Sequence, residues 1–308
     1  MDKILVTGAS GFIGKNLIKY LLSKSLNILS FSRSCGLDYK KINSKFIDVQ
    51  GVEVIIHLAG KAHDLKNKFN DQEYFKANTD LSIHIFDEFL KSKAKTFIYF
   101  SSVKAVKDHY AETLSEETIP SPITAYGKSK FKAEKYLLSK IVGTEKKIII
   151  FRPCMVHGPG NKGNLNLLYN FVSKKLPWPL GSFNNYRSFC SIDNLCFVVN
   201  ELIFRSEILS GIYNIADDDA ISTNRIIELI GISLNKKPII LSINKNIIQI
   251  ISKVGDIIKL PLNSEILTKL TESYMVSNLK IKKVIGKNLP LTTEEGLLKT
   301  FQSFIKQK

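Results

Sequence analysis

Eight residues near the start, Thr7-Gly8-Ala9-Ser10-Gly11-Phe12-Ile13-Gly14, constrain this chain more than any other feature. They follow a short β-branched run, Lys3 to Thr7, and open an amphipathic stretch that ends near Leu22. That context predicts a strand, a tight turn and a helix. Each glycine has a steric reason. One permits the turn, one lets the backbone approach a pyrophosphate, and one allows the helix to pack closely on the strand. The free N–H groups at the helix start suit an anion. Gly8, Ser10, Gly11, Phe12, Ile13 and Gly14 are therefore candidate dinucleotide contacts.

Strand and helix signals alternate after this unit. Strand candidates at Asn27 to Ser32, Lys45 to Ile47, Val54 to Leu58, Thr96 to Phe100 and Lys147 to Phe151 are separated by stretches that suit helices, such as Tyr74 to Ser92 and Tyr126 to Ile141. The alternation predicts an α/β fold with a doubly wound parallel Rossmann sheet. Beyond Pro153 the texture changes to Gly/Pro/Asn-rich loops, His157 to Asn164 and Leu176 to Gly181. The expected layout is a dinucleotide-binding domain over residues 1–165, with a returning strand near 195–216. A smaller C-terminal substrate-binding cap would take residues 166–194 and 217–308. Ser222-Thr223 reads as a helix start; apolar Ile247 to Leu260 reads first as a segment packed into the core, with a cap helix, a dimer surface or an interfacial membrane helix as alternatives.

Composition excludes several classes. Of the 44 basic residues against 28 acidic ones, only five are arginine, and the lysines are spread along the whole length. No compact basic arm or aromatic-interleaved stripe stands out, so nucleic acid is not an expected partner. The four cysteines form no CxxC pair and the five histidines have no ligand spacing, so no metal is expected. No apolar run approaches the ~20 residues of a membrane span, and the charged opening does not resemble a signal peptide. A cytoplasmic location is the expectation.

At the end of the second strand, where NAD sites usually offer a carboxylate to the ribose, the chain reads Phe31-Ser32-Arg33-Ser34. Ser32 and Arg33 would tolerate and pair with a 2′-phosphate, which favours NADP(H), with NAD(H) as the alternative. Asp48, with its neighbour Val49, is a candidate contact to the adenine. Farther on, Tyr126-Gly-Lys-Ser-Lys130 places a phenol and an ammonium four residues apart on a helical pattern, hence on one face. A phenol titrating near 10 is a poor proton-transfer group at neutral pH, and a neighbouring cation is expected to lower its pKa.

At these residues the chain resembles the extended short-chain dehydrogenase/reductase superfamily, in its nucleotide-sugar epimerase, dehydratase and reductase branch. The resemblance covers most of the chain. Its carriers are the glycine turn, His57-Leu-Ala-Gly60, Asn78, Phe100-Ser-Ser102, Tyr126 to Lys130, Arg152-Pro153, His157-Gly-Pro-Gly160 and Tyr186-Arg-Ser-Phe189. It implies Ser102 as the hydroxyl that orients the substrate oxygen, Tyr126 as acid/base, and Lys130 as its electrostatic partner and ribose ligand. Leu58, Ala59, Gly60, Asn78 and Arg152 join the implied cofactor contacts. Arg187 and Asn164 are the candidate substrate contacts, with Arg187 placed for a diphosphate.

Dehydratase-like members carry Asp-Glu directly after the catalytic hydroxyl, and here those positions are Val103 and Lys104. The leading expectation is NADPH-dependent reduction of the C4 ketone of a UDP-4-keto-6-deoxy-HexNAc, in surface polysaccharide precursor synthesis. A UDP-sugar 4-epimerase with bound NAD is the alternative, and a non-catalytic dinucleotide-binding regulator a third class. The resemblance also implies a homodimer.

Overall fold

The computed structural model describes residues 3–32, 39–62, 70–141, 145–161, 163–203, 205, 207–258 and 263–305. The first half runs β1 (Lys3–Thr7), α1 (Phe12–Ser23), β2 (Asn27–Phe31), α2 (Ser44–Val49), β3 (Val52–His57), α3 (Asp71–Phe75), α4 (Leu81–Lys91), β4 (Thr96–Phe100), β5 (Thr113–Leu114), α5 (Ala125–Ser139) and β6 (Lys147–Pro153). It continues through β7 (Met155–His157), α6 (Asn164–Ser173), β8 (Tyr186–Arg187), β9 (Phe189–Ser191), α7 (Ile192–Ile203), β10 (Gly211–Ile215), β11 (Ile221–Ser222) and α8 (Thr223–Ser233). The last elements are α9 (Lys245–Ile258), α10 (Ser264–Thr271), β12 (Met275–Val276), α11 (Leu279–Ile285) and α12 (Thr293–Ile305).

Six strands form one parallel sheet in the order β10-β6-β4-β3-β1-β2. Both of its faces are buried, which is why its strands read as continuous apolar runs. Ile4, Val6, Val54 and Ile56 meet Leu17 and Leu21 of α1 and the apolar side of α7 on one face. Leu5, Ile55, Phe97 and Tyr99 meet α4 and α5 on the other. The winding direction reverses between β1 and β3, so their connections diverge and leave a crevice at the carboxyl ends of the strands. A separate apolar cluster joins α6, α8 and α12. Within the stretch expected to form only the cap, α11 instead packs Ile281 and Ile285 into the cluster beside α7.

Three segments depart from expectation. Lys45 to Ile47 is helical: Asn43 accepts a hydrogen bond from Phe46 N at 2.9 Å and so caps α2, and Ile47 turns inward beside Ile42 and Tyr39. The sheet therefore gains no strand there. Tyr74 to Ser92 is not one helix, because a π-helical turn at Lys76–Asp80 separates α3 from α4 and turns Asn78 and Thr79 inward. Along α9 only Ile248, Ser252 and Gly255 are buried, so the stretch expected to be core presents most of its isoleucines outward.

Candidate active site

The glycine turn lies in the crevice. Gly8 has φ +70°, and a Cβ there would stand 2.7 Å from the backbone of Leu58 and Ala59, so the end of β3 presses directly on the turn. A Cβ on Gly14 would stand 2.4 Å from the Gly8 carbonyl oxygen, which explains why α1 can follow so closely. Gly11 caps α1 without a side-chain acceptor, and the first turn of α1 carries no acidic residue. Its N–H groups and positive dipole end thus suit a phosphate, and this cradle fits a dinucleotide. Ser10 is exposed beside it, with Phe12 and Ile13 half-buried.

A buried polar chain holds β1 to β3. Ala59 N donates to Thr7 Oγ1 at 3.3 Å, and Thr7 Oγ1 meets His57 Nδ1 at 2.8 Å. His57 Nε2 meets Ser82 Oγ at 2.9 Å, and that hydroxyl donates to the Asn78 carbonyl at 2.8 Å. Since the Ser82 proton is spent on Asn78, His57 carries its own proton on Nε2 and accepts from Thr7 at Nδ1. Burial, then the charge of Lys130, pushes the imidazole down to about 3. His57 is thus a neutral structural link. Because the unfolded imidazole titrates near 6.5, stability should be lost as pH falls from about 6.5 towards 3. This group should contribute a slope of about 1.4 kcal/mol per pH unit. Urea denaturation of wild type and His57→Gln across that range checks it: the variant's shallower pH dependence gives the difference, and equal slopes would refute it.

Asn78 ties the end of β3 to α5. Its Oδ1 accepts from Lys61 N at 2.8 Å, and its Nδ2 donates to Lys61 O and to Ser129 Oγ, each at 3.1 Å. A Cβ on Gly60 would stand 2.6 Å from that Oδ1, so Gly60 is needed for the approach. The π turn supplies this inward placement, because an extra residue in the turn redirects the side chain.

Ser102, Tyr126 and Lys130 meet where β4 ends. Ser102 leaves β4 in an extended conformation, with its hydroxyl accepting from Lys104 N at 3.2 Å. Asp108 accepts from Ile123 N, Thr124 N and Thr124 Oγ1, and Thr124 caps α5 by accepting from Gly127 N. A Cβ on Gly127 would stand 2.3 Å from the Lys104 carbonyl, so glycine lets the start of α5 reach the β4 loop. The half-buried Tyr126 phenol consequently hydrogen-bonds Ser102, with Tyr74 edge-on at 6.1 Å.

One helical turn on, Lys130 is buried, donates from Nζ to the Phe100 carbonyl at 2.8 Å and stands 5.0 Å over the Tyr99 ring. Burial lowers it to about 8, while Glu134 one turn farther along pulls it upward. The expectation that Lys130 lowers the phenol does not hold in this structure: burial pushes Tyr126 above its ordinary value, and the bond to Ser102 supplies the opposing pull.

Three expected cofactor contacts lie elsewhere. Asp48 Oδ1 accepts from Lys93 N at 2.6 Å, just ahead of β4, and Val49 is exposed. Both stand at the amino ends of β3 and β4, a strand length of roughly 17 Å from the crevice. The reason is the helix found in place of the expected strand. Arg152 faces α5, where it forms a bidentate pair with Glu134 at 3.0 and 2.6 Å, both side chains at 2% exposure or less. It supports the helix that carries Tyr126 and Lys130. Ser32 is buried at the carboxyl end of β2, and Arg33 lies outside the described residues.

On the cap side, β8 brings Arg187 to the crevice, its Nε donating to the Glu272 carbonyl at 2.8 Å. Its guanidinium charge helps depress the Lys104 ammonium, after burial as the larger cause. Lys104 donates to the Asp108 carbonyl and lies 4.3 Å over the ring of Tyr274, whose hydroxyl donates to Lys107 O at 2.7 Å. The segment around Glu272 and Tyr274 thereby joins Arg187 to the loop after Ser102. Lys104 and Tyr274 were missed as site residues, and no local pattern marks Tyr274. Asn164 begins α6 and is half-buried, with no side-chain hydrogen bond among the described residues. Trp178 packs the cap cluster and donates to Asn224 Oδ1 at 2.9 Å. Among the described residues no group of His, Cys, Asp or Glu could hold a metal.

Comparison with known proteins agrees with this arrangement. A UDP-glucose 4-epimerase of Vibrio cholerae is 29% identical, over 98% of this chain and 95% of its own. An N-acetyl-α-D-glucosaminyl-diphospho-ditrans,octacis-undecaprenol 4-epimerase of Escherichia coli O157:H7 is 26% identical, with the same coverage. A solved UDP-glucose 4-epimerase of Thermus thermophilus in complex with NAD superposes with a TM-score of 0.75 at 18% identity, covering 98% of this chain and 99% of that one, a likeness of fold. The profile of the NAD dependent epimerase/dehydratase family matches residues 4–216, from the first strand through the returning one, and the chain belongs to that family.

Proposed function

We propose that this protein is a UDP-sugar 4-epimerase that works by reversible oxidation at C4 with a resident nicotinamide dinucleotide. One observation carries the chemistry: the Tyr126 phenol, hydrogen-bonded to Ser102, stands at the carboxyl edge of the sheet with Lys130 one helical turn away. The choice of reaction is supported by the two 4-epimerases similar over almost the whole chain. Val103 and Lys104 after Ser102 offer no carboxylate for dehydration.

In this reading Gly8, Gly11, Gly14 and the start of α1 hold the pyrophosphate, and Lys130 holds the ribose. The bound nicotinamide supplies the acceptor and donor of hydride for C4. Tyr126 takes the proton of the 4-hydroxyl as the ketone forms, and returns it when the opposite face is reduced. Ser102 hydrogen-bonds the C4 oxygen throughout, steadying the charge that develops on it. The bond from Ser102 pulls the phenol down against burial, which favours the phenolate while the proton is away. Arg187, its Nε anchored to the Glu272 carbonyl, pairs with the diphosphate. A homodimer and a place in polysaccharide precursor synthesis belong to the same reading.

Net reduction of a 4-keto sugar by NADPH is the second reading, favoured by the absence of a carboxylate at Phe31-Ser32-Arg33. Purified protein incubated with UDP-glucose or UDP-GlcNAc and no added cofactor should yield the C4 epimer by NMR. No epimer, together with stoichiometric loss of NADPH on a UDP-4-keto-6-deoxy-HexNAc, would replace the first reading by the second.

A further inference from the structure

The apolar side of α9 faces away from the protein. Ile247, Ile250, Ile251, Val254, Ile257 and Ile258 fall at i, i+3, i+4, i+7, i+10 and i+11, one continuous stripe. Every one of them is at least 40% exposed, and Ile257 reaches 81%. The side that packs on the protein is the weaker one, with Ile248 beside the small residues Ser252 and Gly255. A helix normally buries its most apolar stripe. Here that stripe is left for another phase.

Charge says which phase. Residues 236–258 contain Lys236, Lys237, Lys245 and Lys253 against Asp256 alone. That carboxylate is engaged by Ser264 N and Oγ at 2.9 and 2.6 Å. The ribbon that leads into α9 bridges Ile240 to Trp178 and Ser242 to Leu180 of the cap. At its start a cavity of about 310 Å³ is lined by Lys175, Lys236 and Lys237 together with Leu176 and Ile239, a pairing of cations and aliphatic side chains. A second copy would bring another lysine-bordered face, from a chain of net charge +16, against this one. An anionic lipid surface offers the complementary charge and an apolar layer for the stripe. No described helix is long and apolar enough to cross a membrane.

We infer that α9 is an interfacial anchor: it lies flat on an anionic bilayer, with its isoleucine stripe among the acyl chains and the neighbouring lysines at the phosphates. Isoleucine and valine enter the upper acyl region while Lys245, Lys253 and the lysine-lined cavity stay at headgroup depth. The inference is independent of which reaction occurs at C4.

Cosedimentation with vesicles tests it, comparing phosphatidylcholine alone with an equal mixture of phosphatidylcholine and phosphatidylglycerol. The wild type should partition onto the anionic vesicles at least about tenfold better, and lose that preference in high salt. Ile250→Gln/Val254→Gln/Ile257→Gln should lower the partition about tenfold while the melting temperature and the turnover of soluble substrate stay unchanged. Lys236→Gln/Lys237→Gln/Lys253→Gln should abolish the preference for phosphatidylglycerol. Equal binding to both vesicles, undiminished binding by the triple Ile/Val variant, or a wild-type dimer that this variant dissociates without any vesicle binding would each overturn it.

Discussion

Tyr126→Phe should lower kcat by about 10²–10⁴-fold, the range that a positioned proton-transfer group contributes. The substitution removes only the hydroxyl that meets Ser102, and the ring can keep its edge-on contact with Tyr74. Dinucleotide affinity should change little, because the glycine turn and the end of β3 form their cradle without the phenol. The stability cost should stay within about 1 kcal/mol, since the phenol is pushed up by burial and loses one hydrogen bond. Steady-state kinetics set beside a thermal melt and a dinucleotide titration separate these effects. Full turnover by a folded, dinucleotide-binding Tyr126→Phe would remove the residue from its role.

Breaking the pair beneath the active site should have the largest effect on folding. Glu134→Gln leaves the Arg152 guanidinium buried without its counter-charge, a situation that costs about 3–5 kcal/mol. Glu134→Leu combined with Arg152→Met should recover much of that loss, because two apolar residues leave no charge to compensate. Activity need not return with stability. Glu134 is also the group that pulls Lys130 upward against burial, so its removal should depress the ammonium further below about 8. Chemical denaturation of Glu134→Leu, Arg152→Met and the double variant measures the coupling. A Glu134→Gln protein as stable as wild type would show that the pair does not hold α5 to β6.

The glycine turn was legible in the sequence because its chemistry is local: three glycines at fixed spacing between a strand and a helix admit few backbones. Ser102, Tyr126 and Lys130 were legible for a related reason, since the end of β4 and one face of α5 suffice to group them. Glu134, four residues past Lys130, carried the same periodic signal and was passed over. Its partner Arg152 was assigned to the cofactor instead, because nothing in Arg152-Pro153 tells which face of β6 the guanidinium takes. Asp48 failed through register: three residues read as a strand became a capped helix, and the carboxylate moved to the far end of the sheet.

The chain's pattern of short apolar strands, intervening helices and glycine punctuation determined the parallel sheet and the place of its crevice, because backbone period and turn sterics act over a few residues. Tertiary structure alone decided that Asn78 turns inward on a π turn, that Tyr274 braces Lys104 beside Arg187, and that α9 shows its isoleucines to the outside. Each of these depends on what packs against the element from a distant part of the chain. Periodicity records that a helix has an apolar face, but only the neighbours determine whether that face is covered.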